Sequence, residues 1–111
     1  MNERDALRLR HVLDCTDRIA VYLEGVDEPA FLSNRMLQDA VIRNLEVIGE
    51  ACANLSEDLT RANPDIPWQK ASAIRNRLVH GYFDVDLRLV LRTARESLPP
   101  FARQVKALIG A

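Results

Sequence analysis

Apolar residues recur at three- and four-residue steps along almost the whole chain, and no stretch shows the two-residue alternation of a half-buried strand. This regularity confines the chain to helices packed on helices. Leu9, Leu13, Thr16, Ile19, Ala20 and Leu23 mark a first helix, with Tyr22 in its packing and Gly25 as its stop. Asp27-Glu28-Pro29 opens the next, with acids at a helix start and proline in the first turn. Its stripe runs through Leu37, Ala40, Val41, Asn44, Leu45, Ile48, Cys52 and Leu55. Ser56-Glu57-Asp58 suits the cap of a short turn, and Asn63-Pro64-Asp65-Ile66-Pro67 breaks the chain.

Pro67 can begin a third helix, with Trp68, Ala71, Ala73, Ile74 and Leu78 on its buried face and Gly81 closing it near His80. Asp84 and Asp86 can start a fourth, striped by Leu87, Val90, Leu91, Ala94 and Leu98. Pro99-Pro100 is expected to kink or break it, because proline removes a helix hydrogen bond and crowds the preceding turn. Phe101 to Ile109 reads as helix again. The predicted fold is all-α: an up-and-down, antiparallel bundle of four main helices plus a C-terminal helical segment, forming one domain over residues 1–111.

Composition narrows the class. A second domain in 111 residues would be too small to bury its own core. No apolar run approaches the roughly 18 residues that span a bilayer, and the charged start Met-Asn-Glu-Arg-Asp does not read as a signal peptide, so the cytoplasm is expected. Cys15 and Cys52 are too few and too far apart for a disulfide framework or a zinc site, and they read as buried, reduced thiols. The net charge of -1 conceals an asymmetry. Residues 1–60 carry six basic and twelve acidic side chains, a balance of -6, and residues 61–111 carry nine and four, a balance of +5. The C-terminal half can attract a polyanion, or the two halves simply present unlike solvated faces.

Gly-rich phosphate loops, His-Glu-x-x-His and nucleophile elbows are absent. Glu46 and Glu50, four apart, can share a metal in principle, but with Arg43 beside them a salt-bridged face explains them better. Asp84 and Asp86 are better explained as capping residues than as cation ligands. His11 has no polar constellation and reads as a surface residue. What remains is one dense polar cluster, Arg75-Asn76-Arg77-Leu78-Val79-His80-Gly81-Tyr82.

RNA brings its own nucleophile, the 2′-hydroxyl, so a metal-independent cleavage needs little more than such a cluster. Histidine moves protons near neutral pH, usually worth about 10²–10⁴ in rate. An arginine fork holds phosphate oxygens, and Asn76 can orient either partner. On an unbroken helix Arg75 and His80 point roughly 140° apart. They converge only if the helix ends at Gly81 and releases the histidine, or if two chains meet here. A helix C-terminus near His80 favours its protonated form. The same residues also fit a plain helix end, where His80 caps carbonyls and the arginines are solvated.

Arg75, four residues, His80, one residue and Tyr82 form a spacing that resembles the mark of the HepT family, within the HEPN (higher eukaryotes and prokaryotes nucleotide-binding) superfamily. Val41-Ile42-Arg43-Asn44-Leu45-Glu46-Val47-Ile48-Gly49-Glu50-Ala51, Pro64-Asp65-Ile66-Pro67-Trp68, Gly81-Tyr82-Phe83-Asp84-Val85-Asp86 and Leu98-Pro99-Pro100 are similar to the family too, so the likeness covers essentially the whole chain. The resemblance implies a homodimer of helical bundles with the two motifs facing across the interface. It implies a metal-independent endoribonuclease toxin with no cofactor, Arg75 and His80 catalytic, and Asn76 and Arg77 supporting RNA binding. It also implies a partner, a minimal nucleotidyltransferase antitoxin (MntA), that transfers AMP from ATP to Tyr82. Each AMP would bring a negative phosphate and a bulky nucleoside to the groove and repel RNA.

Two other readings fit the same residues. In one, the bundle is a non-catalytic RNA- or nucleotide-binding scaffold subunit for the nucleotidyltransferase. In the other it is a plain helical dimerisation module, in which Arg75 and His80 carry no chemistry.

Overall fold

Short polar side chains decide where the helices begin. The computed structural model describes residues 1–80 and 85–110, and of residues 76–80 it describes the backbone only. Helix α1 (Glu3–Tyr22) starts at Asn2, whose Oδ1 accepts from the Asp5 amide at 2.7 Å. Asp27 caps α2 (Glu28–Leu32), Asn34 caps α3 (Arg35–Ala53), and Ser56 caps α4 (Glu57–Ala62), each accepting from an amide three residues on. Helix α5 (Trp68–His80) follows Pro67 as expected. Asp86 caps α6 (Leu87–Arg92) through the Leu89 amide at 3.1 Å, which bears out its capping role; Asp84 lies outside the described residues. Each such cap satisfies a donor that the helix itself cannot. The fold is all-α: every described element is helical, and among the described residues no strand occurs.

Two boundaries differ from the sequence expectation. The single helix expected from Asp27 to Leu55 is split at Ser33-Asn34. The Ser33 hydroxyl donates to the Pro29 carbonyl at 2.9 Å, and Asn34 turns extended to cap α3, so both side chains compete successfully with the helix backbone. Buried Gln38 then staples the two pieces, donating from Nε2 to the Phe31 and Leu32 carbonyls at 3.0 and 3.1 Å. The second difference is at Pro99-Pro100, where the helical trace continues. A π turn over Thr93–Ser97 joins α6 directly to α7 (Leu98–Ile109). The Leu98 amide bonds to the Thr93 carbonyl five residues back, and both prolines stand in the first turn of α7, directly after this π register. The expected C-terminal segment is thus the second half of one long helical run.

Helix α3 lies at the centre, packed against α1 on one side and α5 on the other, while α7 closes on α1. Val41, Leu45 and Ile48 of α3 are fully buried with Leu9 and Val12 of α1, Phe31 of α2 and Val105 of α7. Trp68 meets Phe101 edge-on with ring centroids 6.0 Å apart, and its Nε1 donates to the Asn63 carbonyl, so the indole is buried without losing its hydrogen bond. Cys15 and Cys52 are buried, unbridged thiols. Burial raises both pKa values, that of Cys52 to about 12, which keeps them protonated and inert. Tyr22 is 38% exposed instead of packed, because Leu23, about 100° further round, takes the core position. Ala20 and Ala73 are likewise exposed, one residue beyond or before a core-facing neighbour. Among the described residues no helix is long and apolar enough to cross a membrane.

Polar ties join distant segments. Asp5, only 2% exposed, accepts from the Ser56 amide at 3.0 Å and from its hydroxyl at 2.6 Å. The start of α1 thereby fixes the residue that caps α4. Arg88 of α6 pairs with Glu28 of α2 at 2.8 Å, and Arg95 in the π turn donates to the Leu23 and Val26 carbonyls. Replacing Asp5 by Ala leaves the Ser56 amide without its partner and is expected to lower the unfolding free energy by about 1–3 kcal/mol. Asn at the same position keeps an acceptor and should lose less. Urea titration of both variants checks this; an Asp5→Ala protein as stable as the wild type would show that the tie carries no weight.

Candidate active site

Arg75 is held at both ends by α3. At its root, α5 crosses α3 at Gly49 so closely that a Cβ added there would lie 2.9 Å from both the Cβ and the backbone nitrogen of Arg75, and 3.3 Å from the Ala71 carbonyl. Only a residue without a side chain fits that crossing. At its tip, Arg75 Nη1 donates to Glu50 Oε2 at 2.8 Å, within the range of a charge-assisted hydrogen bond. Asn54, the residue that ends α3, supports the carboxylate from behind, with Nδ2 donating to Glu50 Oε1 at 3.2 Å and to the Glu50 carbonyl at 2.8 Å.

This environment holds the Glu50 carboxyl below the usual glutamate range, first through the Arg75 hydrogen bond, then through that of Asn54 and the arginine charge. A lowered acid pKa means that the pair is intact above the ordinary glutamate value and is lost only as pH falls through the lowered one. The ion pair therefore persists across the neutral range, where a histidine titrates.

The other predicted site residues are placed less fully. Asn76, Arg77 and His80 lie on α5, and their side chains lie outside the described residues, as do Gly81 and Tyr82 entirely. The α5 backbone stays helical through His80. Arg75 and His80 are therefore separated by a rise of about 7.5 Å and roughly 140° around the axis. The carboxylate pair considered for a metal is divided between two arginines: Glu46 pairs with Arg43 at 3.8 Å, and Glu50 with Arg75. Among the described residues no group of three or more His, Cys, Asp or Glu is placed to hold a metal ion. His11 is exposed, as expected.

Gly49, Glu50 and Asn54 were not anticipated as partners of Arg75. One signal for them exists in the sequence: a glycine in mid-helix beside an acid, where a better helix former would ordinarily stand. Chemically, the arrangement presents a positively charged, planar donor fork whose direction is fixed and whose tip is part-exposed. It suits a phosphate oxygen or another compact anion.

Comparison with known proteins gives a consistent answer. The profile of the family described as "Ribonuclease HepT-like" matches residues 12–108. A probable ribonuclease HepT of Thermococcus cleftensis is 36% identical over 91 residues, covering 82% of this chain and 83% of that protein. A provisionally assigned RNase of Methanocaldococcus jannaschii is 32% identical over 107 residues, 96% of this chain and 98% of its own length. Another from Caldanaerobacter subterraneus subsp. tengcongensis is 30% identical over 101 residues, 91% and 90% of the two chains. No solved structure gives a significant match.

Gly49→Ala provides a sharp test of the crossing. In an open mid-helix position this change stabilises a protein by roughly 0.5–1 kcal/mol. Here the new methyl meets backbone, and thermal unfolding is expected to show a loss of about 1–3 kcal/mol instead. A stabilised variant would mean that α3 and α5 are not in contact at this point.

Proposed function

Since the chain belongs to the HepT-like ribonuclease family, we propose that it is a metal-independent endoribonuclease with Arg75 and His80 as its catalytic pair. The observation that carries this reading is the anchored Arg75 guanidinium on a part-exposed surface of α5, five residues before His80. In the proposed reaction the RNA 2′-oxygen gives up its proton and bonds to phosphorus, while the O5′–phosphorus bond breaks and O5′ takes up a proton. His80 serves one of these proton transfers, and Arg75 neutralises the charge that gathers on the phosphate oxygens. Asn76 and Arg77 support RNA binding.

The working unit is a homodimer. Its support is geometric: with α5 helical through His80, the Arg75 and His80 positions of one chain lie roughly 140° apart around the helix axis, and a twofold partner would bring the complementary residue to each half-site. The protein acts in the cytoplasm as the toxin of a toxin–antitoxin pair. Its antitoxin is an MntA-like minimal nucleotidyltransferase that silences it by adding AMP to Tyr82, a fixed negative charge that repels RNA.

The deciding experiment is digestion of total cellular RNA in EDTA by protein whose intact mass shows Tyr82 unmodified. Cleavage is expected with the wild type and is expected to fall at least about 100-fold in His80→Ala and Arg75→Ala. An unmodified, folded wild type that leaves RNA intact would point to the scaffold subunit instead. Incubation with a nucleotidyltransferase of this type and ATP is expected to add mass in AMP-sized steps and to stop cleavage. Tyr82→Phe should gain no mass and stay active; if it is modified equally, the tyrosine is not the target.

A further inference from the structure

We propose that Glu50, backed by Asn54, is the positioning residue that sets the Arg75 guanidinium in the orientation in which it receives a phosphate; the inference rests on the reading of Arg75 as a catalytic residue. Three contacts converge on this one side chain. Gly49 fixes its root, Glu50 Oε2 takes Nη1 at 2.8 Å, and Asn54 Nδ2 fixes the other oxygen of the same carboxylate. All three come from the last turns of α3, so the arginine is registered to one rigid element.

The ion pairs internal to α3 are of a different kind. Arg35–Asp39 and Arg43–Glu46 are 3.8 Å contacts within α3, with arginines 88% and 74% exposed, whereas the Arg75 side chain is 37% exposed and bridges two helices. A long, solvated arginine samples many rotamers, and each unproductive one lowers the fraction of encounters that lead to reaction. Holding it in place before substrate arrives removes that loss from the chemical step.

A carboxylate beside a phosphate-binding cation can also act as a competitor. The geometry favours the positioning role, because Glu50 engages the guanidinium through a single nitrogen, Nη1. The planar fork carries five N–H donors, so a phosphate can take a different edge while the carboxylate stays in place. The two roles predict opposite kinetics. Removing a competitor tightens RNA binding and leaves kcat unchanged or higher. Removing a positioning group lowers kcat, while KM holds or falls because a nearby negative charge has gone.

The test combines steady-state RNA cleavage with nitrogen-15 NMR of arginine side chains on the full-length protein, for wild type, Glu50→Ala and Glu50→Gln. Glu50→Ala is expected to lower kcat about 10- to 100-fold without raising KM, with an unchanged melting temperature. Glu50→Gln, which keeps an acceptor for Nη1, should recover part of the rate and verify that loss of fold is not the cause. In the spectra, the Arg75 Nη resonances should be resolved in the wild type, reporting hindered rotation, and merge in Glu50→Ala.

Unchanged or increased kcat in Glu50→Ala, with an active wild type, would overturn the proposal. So would Arg75 resonances that are identical in both proteins. A wild type that cuts no RNA yet shows a restrained Arg75, released in Glu50→Ala, would refute the ribonuclease reading and support the anchoring on its own.

Discussion

Where α3 and α5 cross there is room for a hydrogen atom and none for a methyl group. Gly49 makes that approach possible, with the backbone of Arg75 directly across from it. The rest of the molecule is arranged around this crossing. Helix α3 is the element that touches both α1 and α5, and its buried residues Val41, Leu45 and Ile48 lead to Gly49 along one face. The same helix α5 carries Trp68, whose indole meets Phe101 of α7 edge-on. Packing in the core and the placing of one surface cation are therefore a single problem with a single solution.

The helical architecture was open to sequence reasoning because burial imposes a period on each helix, and the period survives in Leu9, Val12, Ile19 or in Val41, Leu45, Ile48. The starts at Ser56, Trp68 and Leu87 were legible too, since capping chemistry is local. The split at Ser33-Asn34 was missed because the apolar stripe outweighs two polar residues when only periodicity is read. The continuous helix through Pro99-Pro100 was missed for a different reason. Proline was expected to kink or break the helix, and a π turn just before it leaves no mark in composition. At the site, Arg75 was visible because it belongs to a short motif. Its partner Glu50 is 25 residues away, and a tertiary contact of that kind has no local signature.

The site also shows how much of an arginine's chemistry is decided by what stands behind it. A guanidinium is always charged, so its environment cannot tune its protonation. What the fold can set is direction, and here it does so with a glycine, a carboxylate and an amide from consecutive turns of one helix. Within the family to which the chain belongs, this gives the Arg–His spacing a structural background: α5 carries the motif, and α3 holds its first member.

The uneven charge of the two halves of the chain takes on another meaning once the pairs are traced. Arg75 meets Glu50, Arg88 meets Glu28, and Arg95 covers the carbonyls of Leu23 and Val26. Part of the basic surplus of the second half is thus already engaged by acids and carbonyls of the first. Ordinary polyanion binding is driven by the release of condensed cations and weakens steeply with salt, by about 0.7 in the logarithmic slope for each contact on a single strand. An arginine that keeps its own carboxylate while it takes up a phosphate has fewer condensed ions to release for that contact. Ionic strength has correspondingly less leverage on such a contact, whose strength rests more on the direction of its fixed donors.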